Sequence, residues 1–178
     1  MNHVALLLLM ACLGRGPLPE HRVLNQNFVT VSYLLQESAK QYRLSTYPFT
    51  GTQRKAVELL LSKAKGWRIA LPSDNRSPDL EQYQNEHPGY TPYFVEGDLT
   101  GDGSKDFAIA VIKGEYYGVV FFKAEGDNYL PPQWLTRKGA LDDGGLFIDD
   151  RGLWGGQFYT DNLFHFVWSV KEKRLVPK

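Results

Sequence analysis

Hydrophobic positions in this chain recur with a helical period in two stretches between residues 28 and 65 and with a strand period almost throughout beyond Thr91. Between Phe28 and Tyr42, the apolar residues Phe28, Val31, Leu35, Ala39 and Tyr42 fall at steps of three and four, which marks one face of a helix. A second helix is predicted over 52–65. Thr52 caps it, Ala56, Val57, Leu60, Leu61 and Ala64 form its stripe, and Gly66 ends it. Its polar face carries Arg54, Lys55, Glu58, Lys63 and Lys65, and the pattern predicts a solvated face. The apolar face lacks the aromatic weight of a helix that lies on a membrane.

Residues 67–71 (WRIAL) predict a short strand. Residues 72–90 are polar, hold three prolines and predict a long loop, a length that often goes with function. Beyond Thr91, strands are predicted at 91–96, 106–113, 116–124, 133–136, 145–149, 153–159 and 163–170. Asp149 to Gly152 and Thr160 to Asn162 supply turns.

In 106–113, Phe107, Ile109 and Val111 point one way and Ala108, Ala110 and Ile112 the other. Apolar residues on both faces require a central strand covered on both sides. The small alanines suggest close approach of the 52–65 helix. In 163–170, Phe164, Phe166, Trp168 and Val170 share a core face, opposite His165. The predicted class is α+β: two N-terminal helices packed on a largely antiparallel, twisted β-sheet that carries one loop-bearing hairpin.

That loop is GDLTGDGSKDFAIAV, residues 97–111. Asp98, Asp102 and Asp106 recur every fourth residue, with Gly101 and Gly103 between them. Carboxylates packed so closely repel one another, and calcium, which takes six to eight oxygen ligands, is the usual ion that gathers them. An EF-hand would need a bidentate acid at the twelfth loop position, where this chain has Ile109 followed by strand residues. The plainer reading is a metal-free Asp/Gly turn.

The loop resembles the D-x-[DN]-x-D-G-x-x-D calcium loops of FG-GAP and integrin-type repeats. The resemblance covers about ten residues. It implies calcium held by the side chains of Asp98, Thr100, Asp102 and Asp106 and by the Ser104 carbonyl. Thr100 stands where that family has Asp or Asn, which implies a weaker site. Such loops usually occur in propellers, but propellers repeat their signature. Here it appears once, and Asp142-Asp143-Gly144-Gly145 does not restart it, so a propeller is excluded.

At the N-terminus, residues 4–11 (VALLLLMA) are continuously apolar and Cys12 follows. The run is too short to span a bilayer, which takes about twenty residues, and it suits a secretory signal. Leu9-Met10-Ala11-Cys12 resembles a bacterial lipobox, which implies lipidation at Cys12. The residue-level reading is thus a signal at 1–12, a Gly/Pro tether at 13–20 and a single domain over 21–178, with an ordinary cleaved signal or an apolar helix of the domain as the alternatives. The chain has one cysteine, so it forms no internal disulfide. Export without disulfides suits a bacterial envelope protein facing the periplasm or the exterior.

Lys plus Arg and Asp plus Glu each total 20, so the net charge is zero and no basic footprint for nucleic acid exists. The four histidines are scattered, without metal-ligand spacing, and no hydrolase elbow, P-loop or dinucleotide fingerprint occurs. Asp142/Asp143 and Asp149/Asp150 are the acids available to a glycosidase, but beside glycines they read as turns. Tyr116, Tyr117, Tyr129, Trp134, Trp154 and Tyr159 lie near strand ends, where rings stack on sugars or fill a core. The expectation is an exported, lipid-anchored, calcium-binding module without catalysis, whose partner is an envelope protein or glycan. The alternatives are an envelope glycan hydrolase, or an inhibitory or structural protein seated in another protein's cleft.

Overall fold

A computed structural model of the chain describes residues 21–139 and 141–178. The apolar run, Cys12 and the tether lie outside the described residues. Two compact units divide the chain, one ending at Ala39 and the other running Lys40–Lys178. Among the described residues no helix is long and apolar enough to cross a membrane.

Helix α1 spans His21–Ser45, longer at both ends than the stripe predicted. Leu35, Ala39 and Tyr42 of that stripe are exposed, as are Val29, Tyr33 and Leu34, while Leu44 near the C-terminal end is buried. Helix α2 spans Gly51–Lys63. Its cap is Thr50, two residues before the one predicted: Gln53 N–H donates to Thr50 Oγ1 at 3.2 Å, and Thr50 N–H donates to Gln53 Oε1 at 2.8 Å. This reciprocal box satisfies two of the N–H groups that a helix start leaves open. Gln53 is fully buried and also donates to Glu96 at 2.6 Å, which ties the helix start to the sheet.

The first sheet is built on β3 (Asp106–Lys113), flanked along its length by β4 (Tyr116–Phe122). On the other edge, β1 (Arg68–Ile69) pairs with Val111 and Ile112, and β2 (Phe94–Gly97) pairs with Asp106 to Ile109. The small β5 (Ala124–Glu125) and β6 (Asn128–Tyr129) form their own hairpin. Strand β7 (Gln133–Gly139) lies outside β4. A second sheet has the order β11-β10-β9-β8, from β8 (Gly144–Asp149), β9 (Gly152–Gln157), β10 (Leu163–Ser169) and β11 (Arg174–Pro177). Every pairing is antiparallel, and the described residues form no closed barrel or propeller. The chain is an α+β protein.

As predicted, β3 is buried on both faces from Asp106 to Ile112. Register places Phe107, Ile109 and Val111 on one side with Phe122, Val120 and Gly118, and Ala108, Ala110 and Ile112 on the other with Phe121, Val119 and Tyr117. The helix does not cover the alanines. Leu60 of α2 and Ala64 at its C-cap share a groove wall with Phe122 and Trp134, so α2 lies on the Phe107 face. The alanine face meets the second sheet, where the Phe121 and Trp168 rings are 6.3 Å apart and Gln133 exchanges hydrogen bonds with Leu175 at 2.6 and 3.0 Å. Small side chains on one layer accommodate large rings on the facing one, as close packing demands.

The predicted loop over 72–90 holds more structure than its prolines suggested: a 3-10 turn at Pro72–Asp74 and a helix, α3, at Leu80–Glu86. Tyr83 of α3 packs its ring within 5.0 Å of Phe158 and 4.7 Å of Tyr90. The half-buried Tyr83 ring ties the segment to Tyr90 and Phe158. In β10 the face predicted as core is buried at Phe166 and half-buried at Phe164 and Trp168, but Val170 lies beyond the strand and is 80% exposed.

Candidate functional site

Pairing of Gly97 with Asp106 closes the β2–β3 ladder and leaves 98–105 as its connection. Asp98 organises this loop. Its Oδ1 accepts from Gly101 N–H at 2.7 Å and Asp102 N–H at 3.1 Å, and its Oδ2 accepts from Gly103 N–H at 2.8 Å. The backbone curls around one carboxylate because Gly101 and Gly103 take positive φ, 74° and 82°, which residues with a Cβ resist.

Asp106 is the root. It is fully buried, with Oδ1 accepting from Ala124 N–H at 2.8 Å and Oδ2 from Leu99 N–H at 3.2 Å. Burial pushes its pKa up, and the Ala124 N–H and the nearby Thr100 hydroxyl only partly oppose this. Thr100 Oγ1 is buried beside it, without a hydrogen bond of ordinary geometry. Ser104 donates its N–H to Asp102 Oδ1 at 2.9 Å. The other Asp102 oxygen is ion-paired with Lys123 Nζ. The Lys123 hydrogen bond, followed by that of Ser104, holds Asp102 down at about 2.

The five residues predicted as calcium ligands therefore share one loop, but their carboxylates do not converge. Among the described residues no three acidic, histidine or cysteine side chains come together as an ion-holding cluster. The donor chemistry suits a hard cation, since each carboxylate oxygen keeps lone pairs beyond its backbone bonds. What diverts the set is Lys123, an ammonium supplied by the protein on Asp102. No local spacing announces Lys123. The hairpin register does, because the Phe107–Phe122 pair, extended by one residue, sets Lys123 opposite Asp106.

The six aromatics predicted as a ligand handle are dispersed. Tyr116 is exposed, and Tyr117 is buried with its hydroxyl donating to Asp74 O at 2.9 Å. Tyr129 and Trp134 line a groove of about 460 Å³ beside α2. Trp154 and Tyr159 line another, of about 570 Å³, together with Tyr83, His87 and Phe147. Trp154 stacks on His165 at 3.6 Å, and His165 Nε2 lies 3.0 Å from Arg151 O.

Two of the four turn acids are held by neighbouring side chains. Asp143 accepts from Gln157, and Asp149 from Trp154 Nε1 at 2.9 Å and from Arg151 at 2.6 Å. Burial alone would raise Asp149, but the Trp154 and Arg151 bonds outweigh it and hold it at about 2. A carboxyl so placed stays ionised and cannot serve as the proton donor a glycosidase needs. No family model matches the chain, and neither a curated protein nor a solved structure is significantly similar to it.

Proposed function

We propose that this chain is an exported, lipid-anchored binding module of the bacterial envelope, without catalysis, whose 98–106 loop takes a calcium ion. Its partner is a protein or glycan of that envelope. One observation carries the calcium reading: a loop already wound around Asp98 and rooted on a buried carboxylate, Asp106, beside the buried and unsatisfied Thr100 hydroxyl. An ion would complete the set once Asp102 exchanges Lys123 for it, and would strengthen the join between two central strands. The zero net charge and the groove lined by Trp154 and Tyr159 support a protein or glycan partner over nucleic acid.

Thermal melts test the ion. With Kd near 10⁻⁴ M, as in extracellular modules, about 10 mM calcium adds about 2.7 kcal/mol, or roughly 5–10 °C in Tm over the chelated protein. Lys123→Met, which frees Asp102, is expected to enlarge that difference, and Asp102→Ala to abolish most of it. Identical melts with calcium and with chelator, in both the parent and Lys123→Met, reduce the loop to an aspartate turn neutralised by lysine.

A further inference from the structure

We propose that the groove between α2 and the outer strands of the first sheet binds a small anionic amphiphile, a molecule with an apolar body and one carboxylate or similar head. The inference is independent of the calcium loop. The groove measures about 460 Å³, within the range of sites that enclose a small ligand. Trp67 and Trp134 form its floor, with ring centroids 5.0 Å apart and planes tilted by 58°. Gly118 makes room for them: a Cβ there would lie 2.8 Å from the Trp134 ring and 3.0 Å from that of Trp67. Leu59, exposed at 55% on the groove's helical wall, is an apolar side chain that a ligand body would cover.

The polar groups decide the ligand. The charged residues on the groove are Lys63, Lys65 and Arg137, all cationic, and Arg137 lies 4.6 Å over the Trp134 ring. Among the described residues none of the three meets a carboxylate. Lysine, arginine and indole N–H groups donate and never accept. The remaining polar side chain, Tyr129, directs its hydroxyl to Lys105 O at 3.4 Å. A sugar, whose hydroxyls both donate and accept, would find few acceptors here and an apolar wall besides. A ligand with a donor-free anionic head and an apolar body matches both halves of the groove.

The test uses the full chain carrying Cys12→Ser, so that it has no acyl group of its own. Dodecanoate, dodecanol and dodecylammonium are titrated below their micellar concentrations, with tryptophan fluorescence and calorimetry as readouts. Dodecanoate is expected to bind saturably and at least about tenfold more tightly than dodecanol, the size of effect that charge-assisted hydrogen bonds produce. Dodecylammonium is expected to bind more weakly still. The exposed rim variant Lys63→Gln/Lys65→Gln/Arg137→Gln should keep its melting transition and lose the preference for dodecanoate. Ala56→Trp, which fills the groove, should weaken all three ligands. Equal binding of dodecanoate and dodecanol, an undiminished preference in the rim variant, or binding of neither ligand overturns the proposal.

Discussion

Asp74 accepts from the Arg68 guanidinium at 2.6 and 2.9 Å and from Leu71 N–H at 2.8 Å, with Arg43 3.7 Å away. Burial raises its pKa, but the bonds from Arg68 and Leu71 and the charges of both arginines outweigh burial and leave it below its ordinary value of 3.8. A carboxylate depressed in the folded state stabilises above the unfolded-state pKa, and that stability is lost as pH falls through the lower folded value. Asp74→Asn is therefore expected to cost about 1–3 kcal/mol at neutral pH and less in acid, below the folded-state pKa. Urea melts of both proteins at the two pH values measure this, and an equal deficit at both would remove the charge from the argument. Asp74 was invisible in the sequence because the turn at Pro72–Asp74 that sets its carboxylate on Arg68, and the helix that brings Arg43, appear only on folding. The loop aspartates were visible, since spacing fixes which residues share a turn. Spacing does not fix where each carboxylate points, so the diversion of Asp102 to Lys123 could be read only after the β3–β4 register was known.

Thr50 and Thr52 separate what a pattern can and cannot place at the scale of an element. Either can cap a helix whose apolar stripe begins at Ala56, and the choice falls to Thr50 because Gln53 then lies three residues on and closes the box from both sides. Thr50→Ala is expected to cost about 1 kcal/mol, or roughly 2–4 °C in Tm, and Thr52→Ala much less. Thermal melts of the two variants decide the cap, and the reverse order would restore Thr52. The long alternating strands were legible for the reason this helix was: β3 buries both faces, and its run of apolar residues says so. The short β1 falls inside the strand predicted over 67–71, but the two-residue strands β5 and β6 are too short for a period, and α3 is held by the ring of Tyr83 rather than by an apolar stripe. The covering of each face also escaped the pattern, because alanines admit either a close helix or large rings from a second sheet. Here the rings prevailed.

At the scale of the whole molecule, charge, anchorage and the two sites make separate demands. A chain with twenty charges of each sign has no net charge to draw it to a membrane, so the proposed residence there would rest on covalent lipid. Residues 4–11 are apolar and end at Cys12, the one thiol available for acylation. One acyl chain gives marginal, reversible binding, and stable anchoring takes more than one. The expectation for the expressed full chain is therefore specific. The parent should partition with membranes and lose its first eleven residues, leaving Cys12 as the new N-terminus. Cys12→Ala should remain at precursor length, resist the lipoprotein peptidase, and yield a domain with an unchanged melting transition once the leader is removed. Membrane fractionation with intact-mass measurement reads the first two outcomes, and a melt reads the third. If Cys12→Ala is shortened like the parent and still sediments with membranes, residues 4–11 act as an ordinary signal and the attachment must come from a partner instead.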